Sequence, residues 1–562
     1  MVATLPCMGK VSIALWGGVM LLLVANTALA DDFARRDAAM ATFVDAFAGA
    51  GPQAGCGTPA LHAVHAAWDA LTGEDRHYID LMSSPLYAEA LESGAPSWLD
   101  AGDVSIEGRG VCFGPSDIDG FSTYELVVES EHFALFRVSG SDPLIEAMGD
   151  VLALLEESLE SYRSRGWLSP GGIDDFQMLV FVDVRPPTLG GYTWVNPCSE
   201  AEGGAMDWLV LNEEWAQDSE LVGPLITHEL FHTVQRRYAF DELVTGWESS
   251  RNRWFAEASA VYEESLVYPA GGVIRARSAR WSESPWLALN TFNGSREYQT
   301  FILPLAIEGV LGGPEWHLAL WESIAGLTNW SVPEELEELG TAVGGWEGLF
   351  REYIARASEM DFPRVESLYG PRDLQTYTGV EGGLAGRYTV SELPVRGTVD
   401  GGSAEAPQSL GANYVWFETS SAGLSRALRL DVELDSRTPG GDPVNWAVEV
   451  LATQAGTVLE RLSVTPDLAS NRVQVLAHGV GESLDGVWLI ASPLSTFTGQ
   501  APGWSWSARF VAGEEDLRLE EKGPGCACSN SGSVDGTALW SVLFVGWFVR
   551  RRRPSWTLLW VE

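Results

Sequence analysis

Lysine is nearly missing from this chain: in 562 residues it occurs only at Lys10 and Lys522. Arginine therefore supplies almost all the positive charge. The 35 basic side chains face 77 acidic ones, for a net charge of −42. Such a field repels a phosphate backbone, which argues against nucleic acid as a partner. It suits an exported protein whose self-repulsion is screened by salt, and a biased genome composition would give the same numbers. Cysteine is also sparse, at 6 residues. With Cys7 near the N-terminus and Cys526 and Cys528 near the other end, the body keeps Cys56, Cys112 and Cys198. Three cysteines do not make a dense disulfide framework, and one of them is left over. Cys56 with Cys112 is the expected pair because both precede the chemically informative region, although spacing alone does not fix connectivity. Histidine numbers 8, so any clustering of it is informative.

With 46% hydrophobic and 20% charged residues, the composition is that of a globular protein. A length of 562 residues exceeds one core and predicts two or three domains. Residues 1–30 have the form of a secretory signal: Lys10 precedes an apolar run from Val11 to Ala25, and Ala28-Leu29-Ala30 offers small residues for cleavage. The mature chain is then expected to start at Asp31.

Residues 31–125 form a predicted helical region, with Ala-rich stretches at Asp37–Ala50 and Pro59–Leu71. An α+β lobe follows over 126–387. Its expected elements are a strand at Glu131–Val138, an amphipathic helix from Asp142 to about Arg165, and strands at Phe176–Val184 and Met206–Asn212. From Ser284 to about Arg387 the pattern is helical. Over 388–515 it changes to short alternating runs, among them Ala412–Thr419, Leu428–Asp435 and Trp446–Thr453, which predict an all-β sandwich. No internal repeat of solenoid type is visible.

The tail, 516–562, holds Cys526-Ala527-Cys528 in a Gly/Ser-rich spacer, an apolar run Thr537–Val549, and Arg550 to Arg553. Thirteen helical residues span about 20 Å, short of the roughly 30 Å hydrocarbon core unless flanks or bilayer thinning make up the difference. The arginines would stay cytoplasmic, with the body outside.

The chemistry concentrates in "ITHELFHTVQ", Ile226–Gln235. Random placement of this composition gives His-Glu-x-x-His only roughly two times in a hundred such chains. On a helix His228 and His232 share one face, with Cβ atoms about 5–6 Å apart, so both rings can reach one ion. Glu229 is turned about 100° from His228, where it can address a water without ligating the metal. Catalytic zinc normally takes three protein ligands, and the downstream histidines, His317 and His478, stand in unrelated contexts. A carboxylate is the remaining option. "WFAEASAVYEE", Trp254–Glu264, offers Glu257 on a second helix that can turn back against the first.

His-Glu-x-x-His followed by a downstream Glu resembles the gluzincins, the thermolysin-like branch of zinc peptidases. Trp254, Glu257, Ala260, Tyr262 and Glu264 match that branch's Trp-x-x-Glu-Gly-x-Ala-x-Tyr-x-Glu motif, with Ala258 where Gly is usual. The resemblance covers roughly 126–385. It implies a zincin-like α+β catalytic domain with a mixed-sheet lobe and a helical lobe, here followed by the all-β sandwich. It implies Zn2+ held by His228, His232 and Glu257, with Glu229 as general base, and a protein or peptide substrate. Where thermolysin has an Asp that orients a histidine, this chain has Val261, so Glu264 or backbone carbonyls must serve. Tyr298 or Tyr262 would be the oxyanion donor. "GGAMDW", Gly203–Trp208, is similar to the segment with which gluzincin aminopeptidases hold a substrate amine, but Asp207 and Trp208 depart from it. The tail resembles the MYXO-CTERM sorting signal, although Pro554–Glu562 continues past the arginines. With Gln235 and the strand at Glu131–Val138, the whole looks like secreted metalloproteases bearing such tails. That implies export and sorting machinery as partners and a protein anchored at the membrane or cell surface. The alternative is a surface binding or adhesion protein on an inactive or weakly active zincin scaffold; a zinc hydrolase of non-peptide substrates is a third possibility.

Overall fold

The computed structural model describes residues 124–522 apart from 139–144, 184, 186–188, 198–204, 241–251, 270–271, 294, 328–329, 365–383, 420–425, 455–456, 467–470, 481–483, 496–499 and 514–516; before them it describes Met40, Gly55, Cys56 and Leu71. The expected signal segment, most of the predicted helical region 31–125, the partners available to Cys56 and the expected sorting tail all lie outside the described residues. Among the described residues the chain is a mixed α/β protein with one six-stranded sheet, a set of helices and two five-stranded sheets.

The first sheet is built from β1 (Gly55–Cys56), β2 (Tyr124–Glu129), β3 (Phe133–Val138), β4 (Met178–Asp183), β5 (Leu189–Pro197) and β6 (Ala205–Asn212), in the order β1-β5-β6-β4-β3-β2. β4 is central, and all six of its residues are buried, which is why its sequence is apolar without alternation. β3, β4 and β6 run parallel, whereas β5 runs antiparallel to β6. Helix α1 (Ile145–Ser164) joins β3 to β4, as a parallel connection requires. It buries Val151, Leu155, Leu159 and Tyr162, spaced by four and three residues, and turns Glu157 and Glu160 to solvent.

After β6 come α2 (Glu213–Ala216), α3 (Val222–Phe240), α4 (Arg253–Val267), α5 (Gly272–Glu283), α6 (Arg296–Gln299), α7 (Ile302–Leu311), α8 (Glu315–Ile324), α9 (Val332–Leu339) and α10 (Gly345–Glu359). The Asn212 side chain caps α2 by accepting from Glu214 N. Pro224 falls in the first turn of α3, where its missing N–H breaks no helical bond. α3 is buried on every side from Val222 to Arg236, so it is an interior helix packed on α1, α4 and the sheet. Its polar residues must then be satisfied internally. Thr227 meets Ser158 at 3.0 Å, and the Tyr162 hydroxyl donates to Thr227 O at 2.6 Å.

The remaining strands are β7 (Leu384–Tyr388), β8 (Val395–Val399), β9 (Asn413–Glu418), β10 (Arg426–Leu434), β11 (Trp446–Gln454), β12 (Thr457–Val464), β13 (Arg472–Val480), β14 (Gly486–Pro493), β15 (Trp504–Ala512) and β16 (Arg518–Glu521). They form sheets ordered β16-β13-β10-β15-β8 and β12-β11-β14-β9-β7. Leu428, Leu430 and Val432 of one sheet share an apolar cluster with Val415, Phe417, Val448 and Val450 of the other, as packed sheets do. The strands run from Leu384 to Glu521, past the expected limits of 388–515 on both sides. α10 docks on this part through charge: in a buried pair Arg351 Nη1 lies 2.8 Å from Glu449 Oε1, and in a half-buried one Arg461 Nη1 lies 2.6 Å from Glu352 Oε1. The Tyr414 hydroxyl also donates to Ile354 O at 3.1 Å.

Candidate metal centre

Two helices bring the three expected metal-binding residues together. His228 and His232 lie one turn apart on α3, and Glu257 lies on the first turns of α4, which packs against it. Their nearest ligand atoms all lie within 4.8 Å of one another, and all three side chains are buried. The two Nε2 atoms are 3.2 Å apart. Glu257 Oε2 is 3.2 Å from His228 Nε2, and Glu257 Oε1 is 3.5 Å from His232 Nε2.

The partners of the far ring nitrogens decide what these close approaches mean. His232 Nδ1 is 2.8 Å from Gln235 Oε1, an oxygen that can only accept, so Nδ1 carries the proton and Nε2 presents its lone pair. The Gln235 orientation is itself fixed, because Nε2 donates to Ala256 O at 2.8 Å and to Ser259 Oγ at 2.7 Å. His228 Nδ1 lies 3.4 Å from Glu264 Oε2, an electrostatic contact rather than a well-formed hydrogen bond. That carboxylate favours a proton on Nδ1 and turns Nε2 towards Glu257. Glu264 is anchored in turn by Arg277 Nη1 at 2.6 Å.

The two Nε2 atoms and the Glu257 carboxylate therefore converge in one buried space. Burial disfavours a charged His228, but Glu257 and Glu264 outweigh it and lift the ring to about 9. Burial likewise pushes Glu257 up, and the two histidines more than reverse it, holding the carboxyl at about 2. Both shifts express a site that stabilises positive charge at its middle. Glu257 Oε1, buried, accepts no hydrogen bond. This donor set fits a divalent metal ion, and the residues alone leave its identity open.

Glu229, the expected base, is fully buried on the same helix and turned towards β5. A Cβ at Gly191 would sit 3.4 Å from Glu229 Cγ, an ordinary contact, but 2.9 Å from Val210 O, so it is the approach to β6 that calls for glycine here. Of the two tyrosines, Tyr298 is beside the centre: its ring centroid is 5.9 Å from that of His228, and Arg277 lies 5.2 Å over its face. Tyr262 is engaged elsewhere, donating to Glu308 Oε2 at 3.0 Å. Asp207 does not present a carboxylate for a substrate amine. Arg236 of α3 binds it, and also reaches the Thr193 hydroxyl of β5. Burial raises Asp207, and the Arg236 guanidinium opposes that rise.

Sequence patterns located the three side chains that could hold a metal ion, and Glu229, and named Glu264 among the candidates for orienting a histidine. The role of Gln235 as acceptor for His232 was not read from the sequence; its spacing of three residues, one helical turn, was the available signal. His317 stands apart from the centre, bound to Glu263 at 2.8 Å and to the Trp321 indole at 3.1 Å. No family model matches the chain, and no curated protein matches it.

Proposed function

We propose that the protein is a zinc-dependent peptidase of the gluzincin type, with His228, His232 and Glu257 as the metal ligands and Glu229 as the general base. The observation that carries this is the convergence of the three donors within 4.8 Å, with both histidines oriented from behind. A binding scaffold has no need of this arrangement, and no need of a buried carboxylate next to it. Zinc in the site would supply Lewis acidity towards water and towards a peptide carbonyl. Glu229 would take the proton from the attacking water and pass it to the departing amine. Gln235 and Glu264 would hold the two rings in the ligating tautomers. Tyr298 is the better placed of the two tyrosines to meet the developing oxyanion. The tail's resemblance to a sorting signal and the signal-like form of residues 1–30 support export and anchorage at the cell surface.

Metal analysis of the purified chain, paired with a peptide-library digest, tests this. Stoichiometric zinc with cleavage is expected, and Glu229→Gln should keep the zinc while losing about 10²–10⁴-fold in turnover. Zinc without any peptide cleavage would overturn the peptidase in favour of the adhesion scaffold or another hydrolase.

A further inference from the structure

Arg296 opens α6, the short helix that also carries Tyr298, and its side chain is only 1% exposed. Two other buried guanidinium groups meet carboxylates: Arg185 pairs with Asp183 at 3.0 Å and Arg351 with Glu449 at 2.8 Å. Arg296 has no such partner among the described residues. Its Nη2 donates to Leu287 O at 3.0 Å, its Nη1 reaches Gln299 Oε1 at a long 3.5 Å, and its Nε makes no hydrogen bond. A buried charge in that condition is costly, and a guanidinium keeps its charge rather than deprotonating. Burial lowers its proton affinity, and Tyr353 and Tyr414 are the groups that oppose the shift.

The same side chain lines a cavity of about 320 Å³, with Arg280, Glu283, Asn293, Ser295 and Gln299. That volume is at the lower end for a small-molecule site and too small for a folded partner. At the rim, exposed Arg280 and Glu283 offset each other, and the buried Glu297 carboxylate is taken up by Asn293 N and Ser295 N, each at 3.1 Å. The lining is polar, and none of the three metal-binding residues belongs to it.

We propose that this cavity is a binding site for a small oxyanion, a carboxylate or a phosphate group, seated against the Arg296 guanidinium with Arg280 at the mouth. The anion supplies the direct ion pair that Arg296 lacks among the described residues. Guanidinium groups take both chemistries, since each offers paired oxygens to the donor fork. The site is independent of the peptidase assignment.

Calorimetric titration of the full-length protein with succinate and with inorganic phosphate, at ionic strength fixed with sodium chloride, tests it. One saturable site per chain is expected for at least one anion, and the tighter of the two identifies the source chemistry. Arg296→Gln should weaken that binding by at least about 10-fold, and Arg280→Gln by a few-fold. Dependence on these two residues separates the cavity from the metal centre, which contains neither. Arg280 is exposed, so its variant decides the matter if Arg296→Gln does not fold. Absence of saturable binding for both anions, or wild-type affinity in the foldable variants, overturns the proposal.

Discussion

Gln235 joins the metal centre to the packing of the two helices that build it, and two substitutions separate those roles. In Gln235→Leu, His232 Nδ1 loses its acceptor, and Ala256 O and Ser259 Oγ lose a donor. Each such bond is worth about 1 kcal/mol net, and an orphaned buried group costs about 1–3 kcal/mol. Helical bonding and the Ser259 hydroxyl still serve Ala256 O, so the net loss should be about 2–4 kcal/mol of stability. Loss of an outer-shell partner to a ligating histidine should also weaken metal binding about 10–100-fold. Gln235→Glu keeps an acceptor for Nδ1–H but cannot donate to Ala256 O. It should lose stability while holding metal at least as tightly as the wild type. Urea melts of the metal-free forms and zinc competition against a chelator measure the two quantities separately. Equal zinc affinity in Gln235→Leu and the wild type would refute the claim that Gln235 sets the His232 tautomer.

His317 gives the protein an acid-sensitive component. The Trp321 indole donates to its Nε2, and burial holds the ring below its ordinary 6.5, with Glu263 pulling the other way. The unfolded chain takes up this proton as pH falls below 6.5 while the folded chain does not, so stability is full above that pH and lost below it. Urea midpoints between pH 7.5 and 5 should fall more steeply in the wild type than in His317→Gln; parallel slopes would count against the neutral buried ring. Deleting 523–562, which spares β16, should release a folded body into the medium from cells that retain the full chain. An equally cell-bound truncation would remove the tail from the anchoring account.

The centre was legible because its chemistry is local. His228 and His232 are fixed by helical periodicity, and Glu257 needs only a second helix folded back on the first. The interior strand β4 and the alternating strands of the last two sheets were likewise readable, since burial there follows directly from side-chain pattern. β5 was not. Gly190-Gly191 after Pro186-Pro187 has the composition of a loop, and the strand exists because it pairs with β6, where Val210 O leaves no room for a Cβ at Gly191. Likewise, nothing local to Arg236 and Asp207 tells that they meet, 29 residues apart, inside the protein. Pattern reports periodicity within an element. It carries no register between elements, and this was also why Tyr298 and Tyr262 stood as equals until the helices were placed.

The identity of the third ligand supports the whole functional assignment, and zinc affinity in Glu257→Ala tests it most directly. A suitable control is Glu322→Ala, an exposed carboxylate on α8. Glu263→Ala is unsuitable, because Glu263 is buried between His317 and Arg165. Removing a ligand should cost more than removing its outer-shell support, so competition with a chelator should show zinc binding weakened by more than about 100-fold in Glu257→Ala and unchanged in Glu322→Ala. Zinc retained equally by the two variants would contradict the account and remove Glu257 from the metal centre.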